Sequence, residues 1–387
     1  MKSVNGDKVV EALKNPIGAP LLRDLIKKDD IISILITDKT RATPNEIILK
    51  ILLNELKKLG IKKDNIKIII ANGLHEPENY EEIVELVGKE IAEEYEIHNH
   101  VSDDEKNLVY LGKTSFGTEV YVNKMAMESR KVIALGLIEP HIFAGYSGGR
   151  KLILPGISGT KTVYQNHSYR MLNHPKADYG YLEGNPVHED MVEAAKMSKL
   201  TYIINVILDK RKNIIKAYVG DPFKAHEKGV RELDRMVKVG IPFASDITIV
   251  TNGGYPLDRN LYQGVKGIVT ASRVTRRNGV IIFLAECIDG IGHEKFYEVS
   301  SVDRDPMKIL KYIESNEPIR DQWVVQKLAQ VLLKNKVIVV TKNIRHNKLE
   351  DMNFIPSSSV EEALEIAKRI VGKEARIIAI PEGPYII

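Results

Sequence analysis

Short apolar runs alternate along the chain with longer segments whose apolar residues recur at helical spacing. The run 31–36 precedes a polar turn, and a segment with isoleucines and leucines at helical spacing then extends from Pro44 until Gly60. A second run rich in isoleucine, 66–71, follows directly. A strand, a helix and a strand in this order predict a right-handed crossover between two parallel strands.

The same alternation continues to the C-terminus, which predicts two α/β domains with mainly parallel sheets. The stretch 239–245, with its glycine and proline, is the predicted boundary. We therefore expect an N-terminal domain over 1–238 and a C-terminal domain over 239–376, with the segment 377–387 able to return to the first domain. We also expect the active site to lie in the cleft between the two domains.

Four loops are expected to carry the chemistry, because parallel sheets bind ligands beyond the carboxyl ends of their strands. These loops span 38–41, 72–77, 138–151 and 252–258. Two of them place a histidine immediately beyond a strand, His75 and His141. Each histidine alone is explained equally well by a structural role in its loop. As a pair facing one cavity they could alternate as acid and base, because histidine titrates close to neutral pH.

Composition narrows the kinds of site that the chain can build. It has 387 residues, 56 Lys and Arg against 52 Asp and Glu, a net charge of +4 and one cysteine. Cys287 alone cannot form an intramolecular disulfide or a zinc site with two cysteines, so a metal must use histidine, carboxylate or ligands from outside the protein. The lysines alternate with acids along helical segments, which does not indicate nucleic-acid binding. The start carries charges without an apolar leader and no apolar run could span a membrane, so we expect a cytoplasmic protein.

A glycine-rich loop from Gly145 to Lys151 could bring backbone amides close to an anion. It is not a Walker A loop, because Arg150 replaces the glycine before the lysine and Leu152 stands where Ser or Thr would bind magnesium. Its glycine spacing does not fit a dinucleotide loop either. A phosphorylated ligand therefore stays open, while ordinary ATP or NAD chemistry is disfavoured. Lys151 could contact phosphate or serve as a covalent attachment point, and residue type alone favours the first role.

Several polar residues of the second half also suit ligand binding. Tyr262, Gln263 and Lys266 lie near the start of one predicted helix, where a phosphate or carboxylate could be held, although an ordinary exposed turn explains them as well. His167, on the helix predicted after Ser158, is equally open to packing and to metal binding. Four further histidines fit surface or satisfied polar positions: His174, His226, His293 and His346.

Taken together, these motifs resemble those of the nickel-dependent lactate racemase family, in order and in spacing over nearly the whole chain. The matching residues are Asp38-Lys-Thr-Arg41, Gly73-Leu-His75, Glu139-Pro-His141, Gly145 through Lys151, His167, Pro256-Leu-Asp258, Tyr262-Gln263 and Lys266. The stretch from Glu139 to His167 is the most specific part of the likeness.

The resemblance implies a nickel-pincer nucleotide, a pyridinium-3-thioamide-5-thiocarboxylic acid mononucleotide with nickel, attached to Lys151. It implies His167 as the protein ligand of the nickel, which explains a soft metal in a nearly cysteine-free chain, since the sulfur belongs to the cofactor. His75 and His141 match the catalytic pair. The resemblance further implies cofactor contacts from Asp38, Arg41, Tyr146, Ser147, Gly148, Gly149, Gln263 and Lys266, and substrate contacts from Arg41, Tyr262, Gln263 and Lys266.

The implied reaction is racemisation or epimerisation of a 2-hydroxy acid. One histidine removes the hydroxyl proton, the hydride at Cα passes to the cofactor and returns to the opposite face, and the other histidine supplies a proton. The implied partners are a small 2-hydroxy acid and cofactor-maturation enzymes, without nucleic acid or membrane, and the sequence is compatible with a homo-oligomer. Glu76 departs from the basic residue expected after the first histidine, which leaves the substrate's side chain open.

Two other functions remain compatible with the residues. A non-catalytic binder or carrier of a phosphorylated ligand would use the glycine-rich loop, Arg41 and Lys266, but it would not need three histidines. A metal hydrolase using His75, Glu76 and His141 lacks a set of water-activating ligands at known spacing.

Overall fold

A computed structural model describes residues 6–387. The first five residues of the predicted N-terminal domain lie outside the described part. The chain divides into two compact units. The first holds the residues up to Asn166 together with Lys176–Met236, and the second holds His167–Pro175 together with Val237–Ile387. The short segment 167–175 thus differs from the sequence-based division, which placed it in the N-terminal domain.

The strands are β1 Ile32–Thr37, β2 Ile66–Ala71, β3 Glu96–Asn99, β4 Leu108–Lys113, β5 Glu119–Asn123, β6 Lys131–Leu137, β7 Pro140–His141, β8 Gly145–Tyr146, β9 Leu200–Leu208, β10 Ile214–Gly220, β11 Ser245–Thr251, β12 Thr275–Leu284, β13 Lys336–Val340, β14 Ile355–Ser357 and β15 Ile377–Ile380. The helices are α1 Asp7–Lys14, α2 Leu22–Leu25, α3 Asn45–Lys58, α4 Tyr80–Val87, α5 Lys89–Glu94, α6 Lys124–Glu128, α7 Thr160–Asn166, α8 Tyr169–Leu172, α9 Pro186–Met197, α10 Lys224–Val237, α11 Leu261–Val274, α12 Glu294–Ser300, α13 Pro306–Ser315, α14 Gln322–Leu332, α15 His346–Asp351 and α16 Val360–Val371.

The main sheet of the first unit has the strand order β10-β9-β6-β1-β2-β3. Its strands are parallel except for the β9–β10 pair. The central strand β1 is buried along nearly its whole length, and a parallel strand covered on both faces accordingly needs an almost wholly apolar sequence. Ile34, Ile68 and Ile133 from three adjacent strands belong to one apolar core with residues of α3. This core stabilises the edge of the sheet from which the polar loops extend.

The order of the strands brings three of these loops together. From β1 the chain moves outward through β2 and β3, then returns to the other side of β1 with β6. β1 is therefore the point where the strand order reverses, and ligand sites of parallel sheets form beyond the carboxyl ends of strands at such a point. The predicted loops 38–41, 72–77 and 138–151 begin at the carboxyl ends of β1, β2 and β6.

The sheet of the second unit has the order β14-β13-β12-β11-β15, and all its strands are parallel. The prediction of two α/β domains with mainly parallel sheets is confirmed. The suggestion that 377–387 returns to the first domain is wrong for its strand, because β15 pairs with β11, where Ile377 and Ile380 lie opposite Ile247 and Val250. Within residues 6–387, no helix combines the length and the apolar character that crossing a bilayer requires.

Candidate functional site

Asp38 and His75 meet at the carboxyl ends of β1 and β2. Nδ1 of His75 is hydrogen-bonded to Oδ2 of Asp38, and Thr40 donates to Oδ1 of Asp38 from its hydroxyl (2.7 Å) and its backbone N–H (3.2 Å). The Asp38 side chain is only 5% exposed, whereas that of His75 is 42% exposed. A buried carboxylate therefore holds one nitrogen of an imidazole whose other edge faces outward.

The charge state of Asp38 fixes the tautomer of His75. Burial by itself raises the pKa of Asp38, but the hydrogen bond and charge of His75, with the charge of Arg41 and the bond from Thr40, lower that pKa below its usual value. Asp38 is thus ionised at neutral pH and can only accept, so Nδ1 of His75 carries a proton. In the neutral ring, Nε2 then has the lone pair and can act as a base.

Glu78 links the two loops that carry this pair, and no motif in the sequence indicates this role. The carboxylate is buried and accepts hydrogen bonds from the backbone N–H of Lys39 (3.1 Å) and from the side-chain amide of Asn72. Its backbone N–H donates to Asn99 at the end of β3 (3.0 Å). A glutamate in a proline-flanked loop usually lies in solvent, so only the packing of the loops reveals that Glu78 positions Asp38 and His75.

His141 shows the opposite arrangement of ring nitrogens. Its Nδ1 accepts hydrogen bonds from the backbone N–H groups of Ala144 (3.2 Å) and Phe143 (3.5 Å), and its ring packs edge-on against Phe143 with 4.6 Å between centroids. Because Nδ1 accepts, the proton of the neutral ring lies on Nε2. Neutral His141 is therefore a donor where neutral His75 is an acceptor.

Arg150 determines the shape of the glycine-rich loop from inside. It is 2% exposed, and its guanidinium donates to the carbonyl oxygens of Tyr146 (2.7 Å), Ala144 (2.9 Å) and Gly148 (3.1 Å). Gly148 has φ +83°, a backbone conformation that residues with a Cβ rarely adopt. A Cβ there would also lie 2.8 Å from Oδ1 of Asn205. The loop therefore needs glycine at 148, and it needs a buried cation to satisfy its carbonyls.

The hydroxyl of Ser147 is bonded within this loop. It donates to the carbonyl of Leu137 (2.6 Å) and accepts from the backbone N–H of Glu139 (3.0 Å). Tyr146 is 1% exposed, so its ring belongs to the core. Gly149 lies against His226, whose ring atoms Cδ2 and Cγ would be 3.1 and 3.2 Å from an added Cβ. Any contact that Tyr146, Ser147 and the two glycines make with a cofactor would therefore come mainly from their backbones.

Lys151 lies among other cations on the short 3₁₀ turn that ends this loop. Burial, together with the positive charges of Arg150 and Arg41, lowers the pKa of Lys151 well below that of an ordinary lysine, and Glu139 opposes the effect only in part. Its ammonium nitrogen is 5.8 Å from the ring centroid of Phe143. The residue keeps partial solvent exposure, so its amine, which loses its proton more readily than that of an ordinary lysine, is expected to be open to reaction.

The lowered pKa of Lys151 can be tested by comparing its acetylation with that of Lys161. Trace acetylation of the apoprotein should modify Lys151 with a pH dependence unlike that of Lys161, whose pKa is raised by its bond to Glu119. Only the uncharged amine reacts, so the ratio of Lys151 to Lys161 labelling should increase as pH is lowered from about 9 to about 6.5. Peptide mass spectrometry measures the ratio. A ratio that does not change with pH would contradict a lowered pKa at Lys151.

Two further histidines surround the same loop and are kept uncharged. Burial and the charge of Arg150 lower the pKa of His226 to about 3. Burial followed by the charges of Arg150, His226 and Lys151 lowers the pKa of His188 to about 2. His226 was predicted at a surface or satisfied polar position; it is buried, with Nε2 2.8 Å from the carbonyl oxygen of Ser147 and 3.1 Å from Nη1 of Arg150.

The remaining candidate residues belong to the second unit. Tyr262, Gln263 and Lys266 lie in the first two turns of α11, which Asn260 caps by accepting from the backbone N–H of Gln263 (3.0 Å). His167 is 4% exposed, follows the last residue of α7 and packs edge-on against Trp323 with 5.2 Å between ring centroids. The prediction that His167 lies on the helix is wrong by one residue, because α7 ends at Asn166.

Comparisons with known proteins show the family to which the chain belongs. The family model described as lactate racemase N-terminal domain matches residues 2–180, and the one described as lactate racemase C-terminal domain matches residues 242–387. The chain is 40% identical over 384 residues to a lactate racemase of Thermoanaerobacterium thermosaccharolyticum and 39% identical over 386 residues to one of Lactiplantibacillus plantarum, covering 98% of this chain and 90% of each relative. The chain belongs to the lactate racemase family, a family of isomerases.

Two solved structures share this fold. The lactate racemase apoprotein from T. thermosaccharolyticum superposes with a TM-score of 0.96 at 39% identity, over all of this chain and 93% of that one. A protein from Thermotoga maritima shares the fold at 18% identity with a TM-score of 0.73, over all of this chain and 98% of that one.

The residues of the first unit fit the nucleotide cofactor that the family resemblance implies. Arg41 and Arg150 supply positive charge that suits a phosphate, and the lowered pKa of Lys151 suits attachment of its amine to an acyl group. Nδ1 of His188 and Nε of Arg150 are buried without a hydrogen-bond partner in the described part of the chain. Buried polar atoms of this kind cost stability unless something satisfies them, and a bound polar group could do so.

The described residues contain no group of three or more His, Cys, Asp or Glu side chains able to hold a metal ion. A nickel ion held through His167 would therefore need its other ligands from outside the protein, and sulfur on a cofactor is a suitable source.

Proposed function

We propose that the protein racemises a 2-hydroxy acid, with lactate as the first substrate to test, and that a nickel-pincer nucleotide attached at Lys151 is its cofactor. The observation that supports this most directly is the pair of histidines with complementary tautomers, His75 on Asp38 and His141 on backbone N–H groups. When bound, the cofactor supplies the acceptor and donor of hydride. The protein supplies everything else that the reaction needs.

His75 and His141 handle the hydroxyl proton. Nε2 of His75 is prepared to accept the proton of the substrate hydroxyl, because the ionised Asp38 stabilises the imidazolium that results. Nε2 of His141 carries a hydrogen and can donate a hydrogen bond to the oxygen of the planar 2-oxo acid. To give this hydrogen to the product hydroxyl as a proton, or to accept a proton at Nε2 when the reaction runs in reverse, His141 must carry a proton at Nδ1. Its Nδ1 must then give up its contacts of 3.2 and 3.5 Å with backbone N–H groups.

The positively charged residues would fix the anionic groups. We assign Arg41, Gln263 and Lys266 to the carboxylate of the substrate and to the phosphate of the cofactor, with Asp38 orienting Arg41 through their mutual charge. His167 would be the protein ligand of the nickel, and Tyr262 a substrate contact. Holding the carboxylate is necessary because the reacting carbon must present first one face and then the other.

We further propose that the protein works in the cytoplasm with a small 2-hydroxy acid as substrate and with cofactor-maturation enzymes as partners. The chain's single cysteine supports this location, because disulfides are rare in cytoplasmic proteins. Such enzymes are needed because the pincer nucleotide, with its two sulfur-containing arms, cannot be made from the protein's own side chains.

The test is mass spectrometry of protein produced together with the maturation enzymes, with nickel analysis and a racemisation assay on the same sample. We expect an adduct confined to the peptide of Lys151, nickel bound in proportion to the adduct, and loss of optical purity of L-lactate. An unmodified Lys151, under conditions that load a known lactate racemase, would contradict the covalent cofactor. The protein would then be better described as a binder of a phosphorylated ligand.

A further inference from the structure

The second unit contains another histidine held by a buried carboxylate. Nδ1 of His293 is 2.8 Å from Oδ2 of Asp321, and the side chains are 43% and 7% exposed, respectively. In the first unit, the side chains of His75 and Asp38 are 42% and 5% exposed, respectively. Both pairs thus join an outward imidazole to a buried carboxylate, although the sequence marked His293 only as a surface or satisfied polar residue.

Asp321 adopts an uncommon backbone conformation, and its side chain does not cap the helix that follows. Asp321 directly precedes α14 and has φ +69°, a left-handed conformation that is uncommon for residues other than glycine. An aspartate before a helix normally accepts from the helix's own N–H groups, and the carboxylate of Asp321 caps none of them. It accepts from Tyr262 and lies against His293 instead. A strained residue that gives up a helix cap in this way indicates a functional arrangement.

Asp321, His293 and Phe296 contact Tyr262 on different sides. Its hydroxyl donates to Oδ1 of Asp321 (3.0 Å), its ring stacks on His293 with 4.3 Å between centroids, and Phe296 packs edge-on at 5.5 Å. The loop before His293 can approach this closely because of Gly292, whose Cβ, if present, would lie 3.2 Å from Cβ of Tyr262. Because the hydroxyl proton of Tyr262 is directed at Asp321, Tyr262 is oriented as an acceptor toward a ligand.

Asp321 also lies near the segment that carries His167. Asp321 is two residues before Trp323, and Trp323 packs against the ring of His167 at 5.2 Å. Asp321 therefore connects the start of α11, which carries Tyr262, with the turn of α14 that contacts the proposed nickel ligand. A ligand at Tyr262 is thus expected to come close to His293, whose ring stacks on that of Tyr262.

We propose that His293 is a substrate-binding residue, positioned by Asp321 and Tyr262, whose Nε2 takes the carboxylate of the 2-hydroxy acid. The inference rests on the proposed racemase function. Asp321 holds the Nδ1–H, which leaves Nε2 as the other hydrogen-bonding atom of the ring. A protonated ring donates a charge-assisted bond to a carboxylate, and such bonds are stronger than neutral ones. The titratable groups that contact the imidazole are Asp321 and Tyr262.

The test compares His293→Gln, His293→Leu and Asp321→Asn with the wild type, using cofactor-loaded enzyme and L-lactate. His293→Leu removes every hydrogen-bonding atom of the ring, whereas His293→Gln keeps a donor at a similar distance from the backbone. Both His293 variants should raise KM, His293→Leu by roughly 10- to 100-fold, as expected for one charge-assisted hydrogen bond, while kcat changes much less.

Asp321→Asn isolates the positioning role. Asparagine keeps an oxygen that accepts from Tyr262 but can present an N–H to Nδ1 of His293, which reverses the tautomer of the ring. Long-range ¹H–¹⁵N spectra of the apoprotein should show this reversal, and KM should rise as in the His293 variants. His346→Gln, an exposed histidine of the same unit, is the matched control and should change neither quantity.

Two results would overturn the inference in different ways. A loaded wild type that racemises lactate, with His293→Leu showing the same KM, would remove His293 from substrate binding and leave the racemase function intact. A loaded wild type that racemises no 2-hydroxy acid would overturn the proposed function and this inference with it. His293 lies partly in solvent, so its variants are expected to fold, and circular dichroism checks this.

Discussion

Replacing His75 or His141 by asparagine is expected to lower kcat for lactate racemisation by about 10²- to 10⁴-fold, the usual contribution of a positioned acid or base. Asparagine at position 75 can keep a hydrogen bond to Asp38 while removing the group that accepts the proton, so the loss reports chemistry more than folding. Because the equilibrium constant of a racemisation is one, each variant must slow both directions by the same factor in kcat/KM. Steady-state assays with D- and L-lactate measure both directions.

Single-turnover experiments separate the two histidines. When loaded variants are mixed with one enantiomer and quenched, the amount of pyruvate reports the first half of the reaction. Each variant should still form pyruvate from one enantiomer and fail with the other, and the two variants should show opposite preferences. His98→Asn, a partly exposed histidine on β3, is the control and should behave as the wild type. If both variants kept wild-type racemisation, the assignment of the two histidines as acid and base would be wrong.

The second large effect is expected from Arg150→Met. Methionine has a similar length but no donors, so the buried carbonyls of Ala144, Tyr146 and Gly148 lose their hydrogen bonds. Each unsatisfied group costs about 1 to 3 kcal/mol, part of which is offset by removing a buried charge, so we expect the free energy of unfolding to fall by about 3 to 5 kcal/mol. Thermal unfolding followed by circular dichroism should show a Tm lower by roughly 6 to 15 °C.

Hydrogen exchange tests whether this loss is local to the loop. The amides of 144–149 should exchange faster in Arg150→Met than in the wild type under native conditions, because the loop has lost its internal cation. Arg235→Met, on the exposed face of α10 with a 77% exposed side chain, removes an arginine whose surface ion pair contributes little. It should leave both Tm and loop exchange unchanged. An Arg150→Met protein as stable as this control would show that the loop does not depend on Arg150.

Much of the fold could be predicted because its causes are local in the sequence. The isoleucine runs of β1 and β2 are apolar throughout, and such runs become strands covered on both faces whatever the rest of the chain does. Pro186 at the start of α9 and Gly60 after α3 are local signals that hold in the structure. Local signals were weakest for short elements. β3 was missed, because its four residues include charged and polar side chains that resemble a loop.

Candidate residues could be placed at strand ends, but their partners could not. His75 and His141 both follow apolar runs, so their position at the carboxyl edge of a sheet could be read from the chain. In the structure, Asp38 is hydrogen-bonded to Nδ1 of His75, whereas backbone N–H groups donate to Nδ1 of His141. These contacts depend on how two separate loops fold. The difference between an acceptor and a donor at Nε2 therefore appeared only with the structure.

The sequence by itself determined that this is a two-domain α/β protein of the lactate racemase type, with histidines, a glycine-rich loop and a lysine placed where parallel strands end. The tertiary structure alone decided which charges are buried together. Burial of Lys151 beside Arg150, of Glu78 beneath two loops and of Asp321 under Tyr262 joins residues far apart in the chain. Such pairings set pKa values, tautomers and orientations through distance and desolvation, and neither quantity can be read from the order of residues along a chain.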